Sequence, residues 1–517
     1  MSDSSLSSAI GLAAAPLLLL VSACCAAAAA SATANAYFVI EVIDDQTGRG
    51  VPLVELKTTN HICYYTDSNG IVAFNEPGMM DRKVWFYVSS HGYEFPADAL
   101  GFRGVTLETK PGGSATLKIR RINIAERLYR VTGQGIYRDS VLAGRKTPIR
   151  QPLLNGGVFG QDSVLATVYR GRIYWFWGDT NRAWHPLGNF HTSGATSLLP
   201  GKGGLDPSVG VDLEYFVDEE GFSKKMAPMT EPGPVWLGGL LVVNDNSGNE
   251  RMLAHFSRMK NLGERLERGL MIYNDQTNTF QKLKNIDLDA PLAPDGHPFQ
   301  VTTDAGQRYF YFPQPYPNVR VLADWDHVTD VSTYEGYTCL EQGARYDKDS
   351  PKLDRDKQGR LVFSWKKDTP PLTPTQLAEL IESGSLRRED CPMRLTDVET
   401  GKPILLHGGS VYWNEFRKRW IMIGLEARGT SVLGEIWFAD APAPEGPWTR
   451  ARKIVTHDRQ DFYNPTQHPF FDQQGGRFIY FEGTYTNSFS GNPIQTPRYE
   501  YNQIMYRLDL ADPRLNF

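Results

Sequence analysis

Residues 161–179 read QDSVLATVYRGRIYWFWGD, and this stretch predicts two antiparallel β-strands. Apolar residues dominate both sides of Arg170-Gly171, a dipeptide suited to a two-residue hairpin turn. The second strand, from Arg172, is rich in Tyr, Trp and Phe. A turn at this dipeptide places Asp162 directly opposite Asp179, on the same face of the hairpin.

The same unit occurs four more times toward the C-terminus. Each copy has an opening strand, a tight turn and a second strand of mostly aromatic and apolar residues. The five second strands begin at Arg172, Met252, Arg308, Arg419 and Arg477. A long all-β region avoids exposed sheet edges when its units repeat around an axis. We therefore predict a five-bladed β-propeller over residues 157–517.

The spacing between the units is unequal, so we expect large insertions at about 185–235 and 325–400. One short helix is expected near residues 374–382 (PTQLAELIE). The rest of this region carries strand patterns almost without interruption.

Residues 37–125 carry shorter alternating strands with polar turns, which predict a small antiparallel β-sandwich. Two of the turns, at 44–48 and 66–70, resemble those of the transthyretin-like, carboxypeptidase-regulatory-like β-sandwich. This resemblance implies an accessory module. Asp67 and Asn69 offer oxygen ligands for a structural calcium ion, although Asx side chains that bond their own backbone explain the same turn better. Residues 126–156 are expected to form a connector, and the fold class is all-β.

Residues 1–36 are expected to be an export signal. Residues 9–30 are nearly all apolar or small, and small-residue cleavage options follow them. Val21-Ser-Ala-Cys24 resembles a bacterial lipobox, in which Cys24 would carry a lipid anchor. No Lys or Arg precedes the apolar core, which departs from both signal patterns, and a retained membrane anchor is the alternative. We expect a secreted protein or one anchored in the cell envelope.

The charge balance argues against a nucleic-acid partner. The 517 residues include 54 Lys and Arg against 59 Asp and Glu, a net charge of −5, whereas phosphate binding needs a concentrated basic surface. The five cysteines form no Cys-x-x-Cys motif, so structural zinc is not expected. Cys339 and Cys391 are the only candidates for a disulfide in the large domain, and the sequence leaves their pairing open. No cofactor is required.

The opposed pair Asp162 and Asp179 is the main catalytic candidate. Two carboxylates this close repel each other, which raises one of their pKa values. A structural sheet avoids such a pair, whereas a retaining glycosidase needs one carboxyl as proton donor and a second, ~5–5.5 Å away, as nucleophile. The order of the two roles stays open. The alternative is that one Asp bonds turn backbone while the other binds a cation or Arg182.

Three later hairpins are expected to bring histidines to the ends of their first strands. The predicted registers set His297 opposite Gln314, set His407 opposite Glu426, and place His468 within one residue of Glu482. Together these residues predict a polar funnel that grips sugar hydroxyls or a metal ion.

Glu426 and Glu482 are reserve catalytic residues, because an inverting enzyme would use one of them as general acid with Asp162 as base. Aromatic side chains near the funnel could stack on sugar faces. These are Trp177 and Tyr485, with Trp184 and Tyr463 nearby.

Two short runs resemble a known group of enzymes. Gly160-Gln-Asp162 followed by Trp177-Gly-Asp-Thr180 resembles the opening blade of five-bladed propeller glycoside hydrolases, particularly the bacterial endo-D-arabinanase-like family, in which the corresponding acidic pair is catalytic. Residues 439–448 (ADAPAPEGPW) are similar to a strand-to-turn signature of arabinosidase/xylosidase and levansucrase-type propellers. The resemblance implies hydrolysis of a glycosidic bond in a polysaccharide.

Two other functions remain open. One is a non-catalytic, carbohydrate- or protein-binding surface propeller, in which the acidic pair holds calcium. The other is a polysaccharide lyase, in which His and Tyr abstract a proton from a uronic acid.

Overall fold

The computed structural model describes residues 36–189, 191–292, 294–313, 316–430 and 432–517. The expected export signal with Cys24, and Gln314, lie outside the described residues. Strands dominate the described part of the chain, which confirms the all-β class.

Eight strands form an N-terminal β-sandwich of two four-stranded sheets. The first sheet has the order β4-β1-β8-β6 and the second β3-β2-β5-β7, and β1 and β8 form a parallel pair. Alternate residues of β1, among them Ile40 and Val42, are fully buried against Phe86 of the facing sheet. The strands are β1 (Phe38–Asp44), β2 (Glu55–Thr58), β3 (Cys63–Tyr65), β4 (Ile71–Phe74), β5 (Lys83–Ser89), β6 (Tyr93–Glu94), β7 (Gly104–Glu108) and β8 (Ser114–Arg121).

Five further antiparallel units follow, which we call blades I to V. The strands after the sandwich are β9 (Glu126–Arg130), β10 (Val158–Gln161), β11 (Leu165–Tyr169), β12 (Arg172–Trp177), β13 (Thr180–Arg182), β14 (His185–Asn189), β15 (Ser193–Leu198), β16 (Glu214–Tyr215), β17 (Val235–Asn244), β18 (Glu250–Met259), β19 (Arg265–Asn274), β20 (Thr279–Ile286), β21 (Phe299–Thr302), β22 (Arg308–Pro313), β23 (Pro317–Leu322), β24 (Glu335–Thr338), β25 (Ser364–Lys367), β26 (Met393–Asp397), β27 (Leu406–Asn414), β28 (Arg419–Glu426), β29 (Ile436–Ala441), β30 (Trp448–Val455), β31 (Asp461–Gln467), β32 (Phe478–Thr486) and β33 (Asn502–Asp509).

Blade I contains β11-β12-β15-β16, extended by the small sheet β10-β13-β14, and blade II contains β17 to β20. Blade III contains β21 to β25, blade IV has the order β27-β28-β29-β30-β26, and blade V has the order β31-β32-β33-β9. The predicted second strands are β12, β18, β22, β28 and β32, so the count of five units is confirmed.

The blades form a closed ring, because each packs on the next through its own buried apolar cluster. The fifth cluster joins blade V back to blade I. One residue from each side of the five contacts, in chain order, is Phe176 with Met252, Leu253 with Phe312, Tyr311 with Met422, Ile423 with Phe462, and Tyr480 with Trp175. This closure makes the domain a five-bladed β-propeller.

The ring is closed by a strand from the region that we expected to be a connector. β9 pairs with β33 as the outermost strand of blade V, although it precedes blade I in the chain. Its residues Leu128 and Tyr129 are buried with Trp175 in the cluster between blades V and I. The segment 126–156 therefore begins inside the propeller, and it also carries the short helix α1 (Arg138–Leu142).

The sandwich docks against blade V through buried hydrogen bonds. The Tyr499 hydroxyl donates to the Thr66 carbonyl (2.5 Å) and accepts from the Leu53 N–H (3.1 Å). The His91 ring shares a hydrogen bond of 2.9 Å with the Tyr485 hydroxyl. These contacts fix the sandwich to the propeller.

The large insertion before blade IV contains α2 (Trp325–Val328) and α3 (Pro374–Glu382). The second is the predicted helix, and it begins with a capping box formed by Thr373 and Gln376. Cys339 and Cys391 are buried together in the core of this insertion and are free thiols. No helix in the described ranges is long and apolar enough to cross a membrane. Single 3-10 turns occupy Val331–Thr333, Arg388–Asp390, Pro469–Phe471, Gln474–Gly476 and Pro513–Leu515.

Truncation of the Leu128 side chain tests whether β9 stabilises the closed ring. Leu128 is 0% exposed, so Leu128→Ala should lower the free energy of unfolding by about 2–5 kcal/mol, the usual cost of emptying a buried leucine site. The matched control is Leu154→Ala, at a position that is 43% exposed, which should change it by less than about 0.5 kcal/mol. Chemical denaturation measures both, and equal effects would contradict the role of β9.

Candidate active site

The hairpin of blade I has the predicted register. Leu165 pairs with Phe176, and the turn residues Arg170 (φ 48°) and Gly171 (φ 76°) are both left-handed, as a two-residue hairpin turn requires. Three residues beyond this pair on each strand, the Asp162 N–H donates to the Asp179 carbonyl (3.3 Å). Asp162 and Asp179 are therefore direct neighbours across the two strands.

A break in the innermost strand of blade I, between β10 and β11, sets the direction of the Asp162 side chain. Ser163 has a φ of 50° and separates β10 from β11. The innermost strands of blades II and V contain left-handed residues too, Gly239 (φ 56°) and Asn464 (φ 50°), and both lie at register shifts. The Asn464 amide donates to the Ser163 hydroxyl (2.6 Å), which ties the break in blade I to the break in blade V. Such bulges redirect side chains at strand ends.

Asp162 is held by two tyrosine hydroxyls of blade V. Tyr463 donates to its Oδ2 (2.9 Å), and Tyr501 is a second donor. Burial raises the pKa of Asp162, and the two tyrosine hydrogen bonds oppose that rise. Any side chain on Gly178 would collide with Asp162 Oδ1, 2.1 Å from the added carbon, so the carboxylate lies directly against the backbone of the partner strand.

Among the residues that the structure describes, the donor to Asp179 is the Trp236 indole N–H of blade II, which lies 3.1 Å from its Oδ1. Burial, and then the charge of Asp162, raise the pKa of Asp179 to about 7, and the indole hydrogen bond acts against them. Two donors stabilise a negative charge on Asp162, whereas Asp179 has one donor and a charged neighbour. The ionised member of the pair is therefore Asp162, and Asp179 keeps a proton up to about neutral pH.

Such a pair supplies a proton donor and a carboxylate side by side, which is the requirement of glycoside hydrolysis.

The pKa values of Tyr463 and Tyr501 are raised far above their usual range, by burial and by the Asp162 charge. Both phenols therefore stay protonated as hydrogen-bond donors.

The predicted register at His297 is wrong by one residue. Thr302 pairs with Arg308, and Asp304 to Gly306 form a three-residue loop with Gly306 left-handed (φ 76°), where we expected a two-residue turn. His297 is half-buried, and burial lowers its pKa to about 3, so its imidazole is neutral at physiological pH.

The predicted pairing of His407 with Glu426 is also wrong. The strand bulges at His407, so that Glu426 pairs with Leu406 and the His407 side chain is exposed. Glu426 is half-buried and accepts a hydrogen bond from the Trp437 indole (2.9 Å). Across the described ranges, no hydrogen bond or ion pair joins Glu426 to either aspartate of blade I.

His468 and Glu482 are in contact, but the predicted register is wrong: Glu482 pairs with Thr466, two residues before His468. The two side chains also do not line an open funnel. His468 Nε2 lies 3.0 Å from Glu482 Oε1, and the two side chains are 2% and 0% exposed. The imidazole packs edge-on against Trp175 of blade I, with ring centroids 5.1 Å apart. Glu482 is sealed between blades V and I, which removes it as a reserve acid for a polysaccharide.

Trp177 and Tyr485 are core residues and cannot act as sugar platforms, because each is 1% exposed. Trp177 stacks on Trp175, and the Tyr485 hydroxyl bonds His91 at the sandwich interface. The predicted aromatic Trp184 is 55% exposed, at the tip of the β13–β14 hairpin.

Two residues that interact with the aspartate pair, Trp236 and Tyr501, were not predicted from the sequence. Trp236 lies in the opening strand of blade II, three residues before the left-handed Gly239. The pair Gly238-Gly239 was a sequence signal for a bulge in this strand. Tyr501 immediately precedes β33 at a strained φ of 61°. No local pattern connects it to Asp162, because the two meet only when the ring closes.

No group of three or more His, Cys, Asp or Glu in the described ranges is arranged to hold a metal ion. The turn considered for calcium uses Asp67 differently: its Oδ1 accepts from the Asn69 and Ile71 N–H groups and its Oδ2 from the Ser140 N–H. Asp67 therefore accepts hydrogen bonds from backbone N–H groups, which is the alternative to calcium binding at this turn.

No protein-family model matches this chain, and neither does any curated protein. Among solved structures, the chain is similar to a GH43_1 enzyme from Xanthomonas citri complexed with xylotriose, at 10% identity and a TM-score of 0.33, over 68% of this chain and 87% of that one. It is also similar to an exo-β-1,3-galactanase from Phanerochaete chrysosporium with galactose, at 9% identity and a TM-score of 0.37, over 75% of this chain and 65% of that one. The assignment of the site rests on the geometry of this chain.

The raised pKa of Asp179 predicts a stability signature. Asp179 changes from an ordinary value of 3.8 to about 7 on folding. Between these pH values the unfolded chain releases a proton that the native state keeps, so this group lowers stability progressively from pH 4 to pH 7 and fully above. Asp179→Asn should therefore raise the free energy of unfolding by on the order of 2 kcal/mol at pH 8 and by little at pH 4. Denaturant titrations at the two pH values measure this, and a variant destabilised at pH 8 would contradict it.

Proposed function

We propose that this protein is a glycoside hydrolase that acts on a polysaccharide, with Asp179 as general acid and Asp162 as the catalytic carboxylate. The observation that carries the proposal is the unequal hydrogen bonding of two opposed carboxyl groups. Blade V gives Asp162 two hydroxyl donors, and blade II gives Asp179 one indole donor. Their positions opposite each other favour the retaining mechanism, which needs two carboxyl groups ~5–5.5 Å apart.

In this mechanism Asp179 donates its proton to the glycosidic oxygen as the bond to the anomeric carbon breaks. Asp162 attacks the same carbon and forms a glycosyl ester. Asp179, now ionised, takes a proton from water, and the resulting hydroxide displaces Asp162 and restores both carboxyl groups. Tyr463 and Tyr501 hold the Asp162 carboxylate in place and favour its ionised form.

We further propose the finer features suggested by the sequence motifs. The runs at 160–162 and 177–180 make D-arabinan the first polysaccharide to test. The sandwich is an accessory domain of the transthyretin-like type, which supports the propeller from the blade V side. The apolar segment 9–30 directs export, with Cys24 as a lipid attachment point.

Removal of either carboxylate should abolish catalysis. Asp162→Asn and Asp179→Asn should each lower kcat by at least about 10³-fold on the polysaccharide that the wild-type protein cleaves, because the proton donor or the nucleophile is lost. A panel of D-arabinan, xylan and β-1,3-galactan, assayed for released reducing ends, identifies the substrate.

Wild-type activity should fall as the pH rises through about 7, where Asp179 loses its proton.

The matched control is Asp472→Asn. Burial raises the pKa of Asp472 to about 7 as well, but this residue accepts from Gln467 beyond the far end of β31. Its loss should change kcat by less than about threefold. Full activity in an Asp162→Asn, Asp179→Asn double variant would refute the assignment, and binding without cleavage by the wild-type protein would instead support a carbohydrate-binding propeller.

Loss of one hydroxyl donor should move the acidic limb of the pH profile. Tyr463→Phe removes the 2.9 Å bond to Asp162, so the pKa of Asp162 should rise and the carboxylate should be lost at a higher pH. We expect the acidic limb of kcat/KM to shift upward by about one pH unit, while the basic limb stays near pH 7. An unchanged acidic limb would contradict the role assigned to Tyr463.

A further inference from the structure

An open cleft of about 400 Å³ lies on blade II, bounded by the segment that leads into blade III. Trp236, the donor to Asp179, forms part of its wall, so the cleft begins beside the general acid. Apolar and polar side chains share the lining, as is usual for a site that binds a small polar ligand. The other polar residues that line it are His255, Ser257, Arg265, Arg268 and Asp295.

The floor of the cleft is shaped by Gly238. This residue lies two positions after Trp236, on the same face of β17. A Cβ at Gly238 would lie 1.9 Å from Asp295 Oδ1, so only glycine lets this carboxylate rest against the strand. The exposed carboxylate of Asp295 and the half-exposed indole of Trp236 therefore line the same cleft. An aromatic face next to a hydroxyl-binding carboxylate is a combination that suits a sugar ring.

The two carboxylates of the pair face different blades. Asp162 is contacted from blade V by Tyr463, and Asp179 is contacted from blade II by Trp236. A general acid must reach the oxygen of the departing sugar, so the leaving group has to lie on the Asp179 side. The cleft is the open volume on that side.

We propose that this cleft is the leaving-group subsite and that it takes the sugar on the reducing-end side of the cleaved bond. Trp236 then has two roles: it presents its ring face to that sugar and it positions Asp179. This inference rests on the proposed hydrolase function, and it adds where the leaving sugar binds.

Filling the cleft tests the inference. Ser257 pairs directly with Trp236 across β17 and β18 and lines the cleft, so Ser257→Trp should occupy the subsite. We expect kcat/KM to fall at least tenfold on the polysaccharide that the wild-type protein cleaves. On the glycosyl fluorides of arabinofuranose, xylose or galactose the change should stay below threefold, because fluoride needs no protonation to leave and is too small to need a leaving-group subsite. Equal effects on both substrates, or none, would overturn the inference.

Asp295→Asn is a second variant, which keeps the size of the side chain and removes its charge, and it should weaken binding at least threefold. Binding of a trisaccharide from the cleaved polysaccharide is measured by calorimetry on full-length protein that carries Asp162→Asn. Ser257→Trp should weaken this binding at least tenfold. The matched control Trp413→Phe removes another indole-to-carboxylate bond, to Glu415 (2.7 Å) at the opposite end of the blade IV hairpin, and should leave binding unchanged.

The outcomes separate the two proposals. If the wild-type protein cleaves the polysaccharide and both cleft variants bind and cleave it normally, the subsite is overturned while the hydrolase function stands. If no polysaccharide in the panel is cleaved, the hydrolase function fails and the leaving-group subsite fails with it.

Discussion

A ring of five β-sheets is stable only if its last sheet packs on its first, and in this protein that seam also carries the candidate site. The strand β9 completes blade V, and Leu128 and Trp175 are buried together across the seam. The same closure brings Tyr463 and Tyr501, from the end of the chain, onto Asp162 in blade I. The acidity of the pair thus depends on contacts that exist only in the closed ring.

The pair itself works against folding. Two opposed carboxyl groups repel, and their partial burial raises both pKa values. Tyrosine donors relieve this on Asp162, whereas Asp179 keeps its proton instead. A sequence selected for stability alone would replace one of the two with an uncharged residue. The retained pair, with unequal donors, is what a hydrolase needs to hold an acid and a carboxylate in contact at the same pH.

Much of the fold could be predicted from the sequence, because short-range patterns determine hairpins. Arg170-Gly171 specified a two-residue turn, which set the register of Asp162 and Asp179 correctly. The loop that ends at Gly306 has three residues, and a bulge occurs at His407, so the registers there shifted by one. Turn length and bulges depend on local twist, which alternating hydrophobicity does not encode.

The openness of the site could not be predicted from strand patterns. Trp177, Tyr485 and Glu482 have the residue types of a sugar site, yet packing between blades or against the sandwich buries them. Trp236 and Tyr501 reach the aspartates from other blades, through contacts that span long sequence separations. Sequence periodicity predicts which face a residue lies on, and tertiary packing decides whether that face is open.

The most direct test of the account is a titration of the aspartate carboxyl groups by 13C NMR, in the wild-type protein and in Asp179→Asn. We predict one carboxyl that titrates near pH 7 in the wild-type protein and is absent from the variant. The signal of Asp162 should change little in the variant, because Asp179 is already uncharged in the pH range where Asp162 titrates. If the signal near pH 7 persists in Asp179→Asn, or if Asp179 titrates near its ordinary value of 3.8, the two carboxyl groups do not form an acid and carboxylate pair.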